Sequence, residues 1–150
     1  VVSLSAVTIA NSIAGITVSG VTMRDLDEIP QGALARDCPM VYPKPDGFLS
    51  GLSVNRDSFG AAAAKMTANY TLTYVFLHSP VGSGRGLFDI YEDMVTKGLS
   101  VIDAILATAT LAGAVDVQIG DMLDFGPVND PAGNTFHGCL IALNCSEFIN

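Results

Sequence analysis

The run Tyr70-Thr71-Leu72-Thr73-Tyr74-Val75-Phe76-Leu77-His78 constrains the fold more than any other stretch of the chain. Tyr70, Leu72, Tyr74 and Phe76 fall on one side of an extended strand, and Thr71, Thr73, Val75 and Leu77 fall on the other. Both sides are substantially apolar, so this strand belongs at the centre of a sheet. The run Phe136 to Phe148 repeats the signal, presenting Cys139, Ile141, Leu143 and Cys145 inward with period two. Leu49 to Arg56 reads as a further strand after the turn signal Pro45-Asp46-Gly47, and Val115, Val117 and Ile119 alternate as another. Ile16 to Arg24 reads as a strand with a bulge where the phase breaks at Gly20, and Met40-Val41-Tyr42 as a strand fragment.

Two helices complete the pattern. Ser3 to Ala14 is short and amphipathic, with Leu4, Val7 and Ile13 near one side, a serine available as N-cap and Gly15 as a stop. Leu87 to Thr108 is long, and Phe88, Tyr91, Val95, Leu99, Ile102 and Leu106 recur at spacings of three and four, which predicts the buried stripe. Between Leu49–Arg56 and the central strand, Phe59 to Met66 is too short for a stable helix despite four alanines, and reads as a connector or hairpin tip. The resulting order predicts one α+β domain spanning residues 1–150. Its mostly antiparallel sheet has about five strands, with the long helix and the short N-terminal helix packed on it. Two long loops remain, about 25–47 and 120–135. They carry Pro30, Pro39, Pro43, Pro45, Pro127 and Pro131, and the first adds the apolar Leu26, Ile29 and Leu34, which suits interaction loops.

Composition narrows the function. Only 15% of the 150 residues are charged while 49% are hydrophobic, and the excess of acids gives a net charge of −8. A basic nucleic-acid-binding face is excluded, as is electrostatic attachment to an anionic membrane. A surface normally wants about a quarter to a third charged residues, so this one is either unusually neutral or covered by other subunits. The longest weakly polar stretch, Leu99 to Val115, contains Asp103, Ser100, two threonines and Gly113, and fails as a membrane span. The segment from Val1 to Gly15 opens with no Lys or Arg, so no secretory signal is expected. Three cysteines, Cys38, Cys139 and Cys145, lack CxxC spacing, which argues against a disulfide framework or zinc cluster and points to a reducing compartment.

Catalytic signatures are sparse. His78 and His137 stand near the ends of two strands and would converge if those strands were neighbours, with Asp89 or Asp130 as partners for acid–base work or half a metal site. Single histidines at strand ends are more commonly polar boundary residues. Gly82-Ser83-Gly84-Arg85-Gly86 lies between a strand and a helix but lacks the Lys-Ser/Thr pair of a phosphate loop, and Asp89, Glu92 and Asp93 in the following turns would repel an anion. Asp121, Asp124 and Asp130 lack the alternation of a calcium loop. No catalytic, cofactor or metal residues are therefore assigned. More suggestive are Arg24-Asp25, Arg36-Asp37 and Arg56-Asp57, where three of the four arginines precede an aspartate. Neighbours on an extended chain point to opposite sides, so each pair can offer opposite charges to two different partners. With Leu26, Ile29 and Arg85, these are the candidate inter-subunit contacts.

The whole layout resembles the tail terminator proteins of long-tailed (siphovirus-type) bacteriophages. The resemblance rests on the short N-terminal helix, the strand running into Arg24-Asp25-Leu26-Asp27-Glu28-Ile29-Pro30, and the segment Pro39-Met40-Val41-Tyr42-Pro43. It continues through the central strand Tyr70 to Leu77, the helix from Leu87, and the closing strand Phe136 to Leu143 ending near Glu147-Phe148. It implies a virion structural protein of the head–tail neck, assembled in the bacterial cytoplasm. Its subunits form a homohexameric ring that caps the tail tube and joins it to the head connector. The implied partners are other copies of the chain, the tail tube protein and the head-closure protein, with DNA passing the lumen without specific binding and with no membrane, no cofactor and no enzymatic activity. A head-closure (stopper) or tail-tube subunit is the nearest alternative, and a small enzyme using His78 and His137 the remote one.

Overall fold

Two fifteen-residue strands, β4 (Met66–Pro80) and β7 (Thr135–Ile149), pair antiparallel along almost their whole length, from Met66↔Ile149 to Pro80↔Phe136. They are the two runs with the clearest period-two pattern, and the central position expected of Tyr70–His78 is the one observed. The computed structural model describes residues 6–29, 38–56, 66–81, 87–108, 115–119 and 124–149, with the backbone alone at 56, 87–89, 108, 115–119, 148 and 149. The predicted connector at 59–65 and the glycine bend at 82–86 lie outside the described residues.

Each outer edge of the β4–β7 pair carries two shorter strands laid end to end. Along β4 run β2 (Met40–Pro43), opposite Leu77 to Tyr74, and then β3 (Leu49–Arg56), opposite Leu72 to Met66. The residues between them jut out as a loop pinned at both ends: the Lys44 N–H donates to the Thr73 carbonyl, and the Thr73 N–H donates to that of Phe48, both at 2.9 Å. Along β7 run β5 (Val115–Ile119), opposite Glu147 to Leu143, and β6 (Gly126–Asn129), opposite Gly138 to Thr135. A two-residue strand β1 (Thr22–Met23) adds parallel to β2. The protein is therefore α+β, with a mostly antiparallel sheet and, among the described residues, two α-helices, α1 (Ala6–Ala14) and α2 (Leu87–Thr108). The sheet counts seven strands among the described residues rather than about five.

Both helices lie on one face. Ala6, Ile9 and Ile13 of α1 and Met94, Val101, Ile102 and Ile105 of α2 bury against Tyr70, Leu72, Tyr74 and Phe76 of β4 and Cys139, Ile141, Leu143 and Cys145 of β7. Each of the Val, Leu, Ile, Met and Phe side chains among them contributes roughly 1.5–3 kcal/mol through lost apolar exposure. One buried carboxylate joins this layer: the Tyr70 hydroxyl donates to Glu147 Oε2 at 2.8 Å, and burial together with that bond pushes the phenol's pKa upward. On the opposite face a smaller cluster, Met40, Tyr42, Val75, Leu77 and Phe136, is capped by Ile29, Cys38 and Val128. No helix among the described residues is long and apolar enough to cross a membrane.

The structure corrects several expectations. Ile16–Arg24 is not one bulged strand: Val18 and Val21 bridge across a turn in which Gly20 takes φ +77°, and regular pairing is confined to β1. Segment 25–47 holds a 3₁₀ turn (Leu26–Glu28) besides the expected strand fragment, which is β2, and segment 120–135 holds β6, so neither is irregular throughout. In α1 the buried positions are Ala6, Ile9, Ala10 and Ile13, while Val7 faces outward. The stripe predicted for α2 is displaced by one residue. Ile90, Met94, Val101 and Ile105 are fully buried, whereas Tyr91, Leu99 and Leu106 are 49%, 53% and 42% exposed. Of the predicted stripe, Ile102 is buried. Gly98 explains the choice of face: a Cβ there would sit 2.8 Å from the Phe125 ring, so only glycine lets Phe125 lie against the helix.

Candidate functional site

The two edge interruptions fall at the same level of the sheet. Residues 44–48 leave the β4 edge beside Thr73, and the gap between β5 and β6 lies opposite residues 139–142 of β7, which pair with Phe76 to Thr73 of β4. On the face away from the helices, the register places Tyr42, Val75 and Leu140 side by side across three strands. This row floors an open cleft of about 510 Å³, walled by Lys44, Pro45 and Asp46 on one side and by Asp124, Pro127, Val128, Asn129, Asp130 and Pro131 on the other. The walls come from the two segments singled out in the sequence as interaction loops, here brought together across the sheet.

Its chemistry is mixed. The floor is apolar, and three prolines with fixed φ stiffen the rim. Asp130 is buried and holds its own turn, accepting from the Asn134 backbone N–H at 2.7 Å and from Asn134 Nδ2 at 3.3 Å. Burial, then the nearby Asp130 carboxylate, push the Tyr42 phenol up to about 12, so it stands in the cleft floor protonated. Among the described lining residues, three carboxylates against one lysine, Lys44, give the cleft an acidic balance. A concave apolar floor of this size with a few polar groups at its rim suits an inserted side chain or a small ligand.

The predicted contact residues divide. Asp25 caps the 3₁₀ turn: its Oδ1 accepts from the Leu26 N–H at 2.7 Å, and Glu28 Oε1 accepts from the Asp25 N–H at 3.1 Å, a reciprocal capping box. The Asn11 side-chain amide, with its nitrogen toward the turn, also donates to Asp25 Oδ2 at 2.6 Å, tying α1 to the start of segment 25–47. Asp25 thus serves the fold by capping this turn and holding Asn11. Arg24 is half-buried, and its Nε is enclosed without a hydrogen-bond partner among the described residues, as is the Tyr74 hydroxyl. Leu26 is half-buried, and Ile29 packs on the second cluster beside the cleft. Arg56 ends β3. Arg36, Asp37, Asp57 and Arg85 lie outside the described residues.

β4 and β7 are neighbours, as the histidine hypothesis required, but the imidazole of His78 is engaged elsewhere. It sits where the register shifts between Leu77 and Ser79, while His137 pairs opposite Ser79. His78 Nε2 lies 2.6 Å from Asp93 Oδ2 on α2, and Nδ1 lies 3.1 Å from Ser79 Oγ; in the neutral ring that donates to Asp93, Nδ1 accepts the serine hydroxyl. Lys97 Nζ adds a second contact to Asp93 at 3.2 Å. The group clamps α2 to the end of β4. No cluster of three or more His, Cys, Asp or Glu able to hold a metal occurs among the described residues.

The clamp has a pH signature. The hydrogen bond from His78, with smaller help from Lys97, holds the Asp93 carboxyl below its ordinary range against opposing desolvation. A depressed folded-state pKa adds stability that is present above the unfolded value and is lost as pH falls through the folded one. Urea unfolding of Asp93→Asn is therefore expected to show its deficit in full near neutral pH. The gap to wild type closes as the pH drops below the ordinary carboxylate range, and a deficit constant down to pH 2 would contradict the assignment.

Sequence reasoning missed the cleft as a single site and the outer face of α2. The only local signal for the cleft was Lys44-Pro45-Asp46-Gly47-Phe48, a turn joining two strands that both run antiparallel to the same partner. Neither the family models nor the curated protein sequences with which the chain was compared match it.

Proposed function

We propose that this chain is a structural subunit of a homo-oligomeric ring, a phage tail terminator that ends growth of the tail tube and joins it to the head connector. The observation that supports this reading most is the distribution of exposed apolar surface. Tyr91, Leu99 and Leu106 line the outside of α2, while Leu140 opens into the cleft on the opposite face of the sheet. A monomer gains nothing from two such surfaces on opposite sides, whereas a subunit gripped by neighbours and axial partners covers both. With 15% charged residues, the chain also falls short of the charged share that the surface of a lone domain usually carries. A net charge of −8 per copy suits a ring through which DNA slides without adhering.

In this assignment the acidic-rimmed cleft meets an axial partner, the tube protein or the head-closure protein, and the chain performs no chemistry and holds no cofactor. Gold labelling of a tagged chain in tails from particles that carry it is expected to mark a single position, the head-proximal end of the tube. Label along the whole tube would make the chain a tube subunit, and label retained on tail-less heads would make it a head-closure protein.

A further inference from the structure

We infer that neighbouring copies join edge to edge, with β3 of one copy pairing antiparallel to β5 of the next, so that one sheet continues from subunit to subunit. This rests on the oligomeric reading above and names the surfaces that carry it. The strand order runs from β1, which flanks β2 alone, to β5, and among the described residues β3, beyond the end of β2 on the same edge of β4, pairs only with β4. Both strands therefore present a row of backbone N–H and C=O groups with no strand beyond it among the described residues.

Three properties fit these edges to each other. The first is direction. β3, β4, β7 and β5 alternate, each antiparallel to the last, so β5 runs opposite to β3. A copy rotated about an axis lying roughly along the strands brings its β3 beside β5 in antiparallel sense, a head-to-tail contact able to close into a ring. The second is level. Val54 pairs with Ala68, Ala68 with Glu147 and Glu147 with Val115, one rung across the whole sheet; Leu49, Leu72, Leu143 and Ile119 form another. The two edges thus stand at the same height. On these rungs residue types match, Val54 with Val115 and Leu49 with Ile119, while Ser50 shares a rung with Gln118 and Ser53 with Asp116.

The third is the weakness of the usual protection. Edge strands are normally blunted by lysines, prolines or inward charges. From Leu49 to Asn55 there is no charged residue and no proline, and Leu52 and Val54 are 50% and 49% exposed. The irregularity between Ser50 and Ser53 interrupts this edge but leaves Ser53 to Arg56 in regular register with β4, and Ser53 and Val54 stand level with Asp116 and Val115 at the start of β5.

The test combines Ser53→Cys with Asp116→Cys in a Cys38→Ser background, treated with a short thiol-to-thiol crosslinker, and separately weighs Val54→Lys by native mass spectrometry. The double variant is expected to give a ladder of covalent multimers ending at the ring size, with no ladder from either single variant. Val54→Lys is expected to melt like the parent chain yet to lose the oligomer mass. An oligomeric parent that yields no crosslinks, together with a Val54→Lys chain that still assembles, overturns the edge contact and leaves the ring standing. Dimers from Ser53→Cys alone would mean that β3 pairs with another β3, which also overturns it. A crosslinked ladder that extends into open fibres keeps the contact and removes the ring, and a parent chain that is monomeric at high concentration removes both.

Discussion

Replacing Gly138 with Ala is expected to cost more than about 4 kcal/mol of folding stability, or to prevent folding. A Cβ at this position would land on the Phe76 carbonyl oxygen, and it would lie 2.9 Å from the carbonyl carbon and 3.2 Å from Leu77 Cα. All three are backbone atoms of the strand that centres the sheet, so no rotamer change relieves the overlap. Either β4 and β7 separate where they meet at Leu77↔Gly138, or the β4 backbone beside the register shift must rebuild. The same shift aims His78 at Asp93, so the helix clamp is disturbed as well. Gly126 provides the control: it pairs with Gly138 across β6 and β7, yet a Cβ there would meet nothing within 4 Å. Gly126→Ala is accordingly expected to stay within about 0.5 kcal/mol of wild type. Urea unfolding of the two variants separates close backbone approach from a general intolerance of side chains in these strands.

The second large effect is on assembly. Replacing Leu99 and Leu106 together with Lys is expected to leave the fold intact and abolish oligomer formation. Both side chains are about half exposed, and lysine is a good helix former. Asp103 stands four residues after Leu99 and three before Leu106, so each lysine gains an opposite charge at helical spacing. The fold thus loses little, while the apolar stripe on the outside of α2 is broken by two cations. α2 packs over β7 and β5, on the flank where the next copy arrives in the edge-to-edge arrangement, so that neighbour is the surface the stripe meets. Circular dichroism with a thermal melt checks the fold, and size-exclusion light scattering checks assembly. An oligomer that survives both lysines would show that this face is not part of the joint.

How the chain folds was legible where the pattern is local. β4 and β7 each alternate over many residues, and α2 begins and ends where the periodicity does. Which face of α2 is buried was not legible. Ile90, Met94, Val101 and Ile105 form one apolar stripe, and Tyr91, Val95, Leu99, Ile102 and Leu106 form a second one residue, or about 100°, further round. Periodicity alone cannot rank two adjacent stripes. The decision lies in Gly98, which reads as a flaw in a helix but provides the seat for Phe125, a residue distant in sequence.

The cleft was legible only in pieces, for the same reason. Tyr42, Val75 and Leu140 become neighbours through pairings between three strands scattered over the chain, and the walls come from two loops whose convergence depends on which edge each strand joins. β6 escaped because Gly126-Pro127-Val128-Asn129 carries a proline and is tolerable as a strand only at an edge. The capping role of Asp25 was not legible, because a cap is invisible until the turn it caps is known.

The central claim, that the chain is built to be one member of a closed ring, is tested most directly by the mass of the particle it forms. Native mass spectrometry of the purified protein is expected to show a single dominant species at six times the 15.6 kDa chain mass, without a ladder of higher multiples. A folded protein that remains at 15.6 kDa at high concentration would contradict the account.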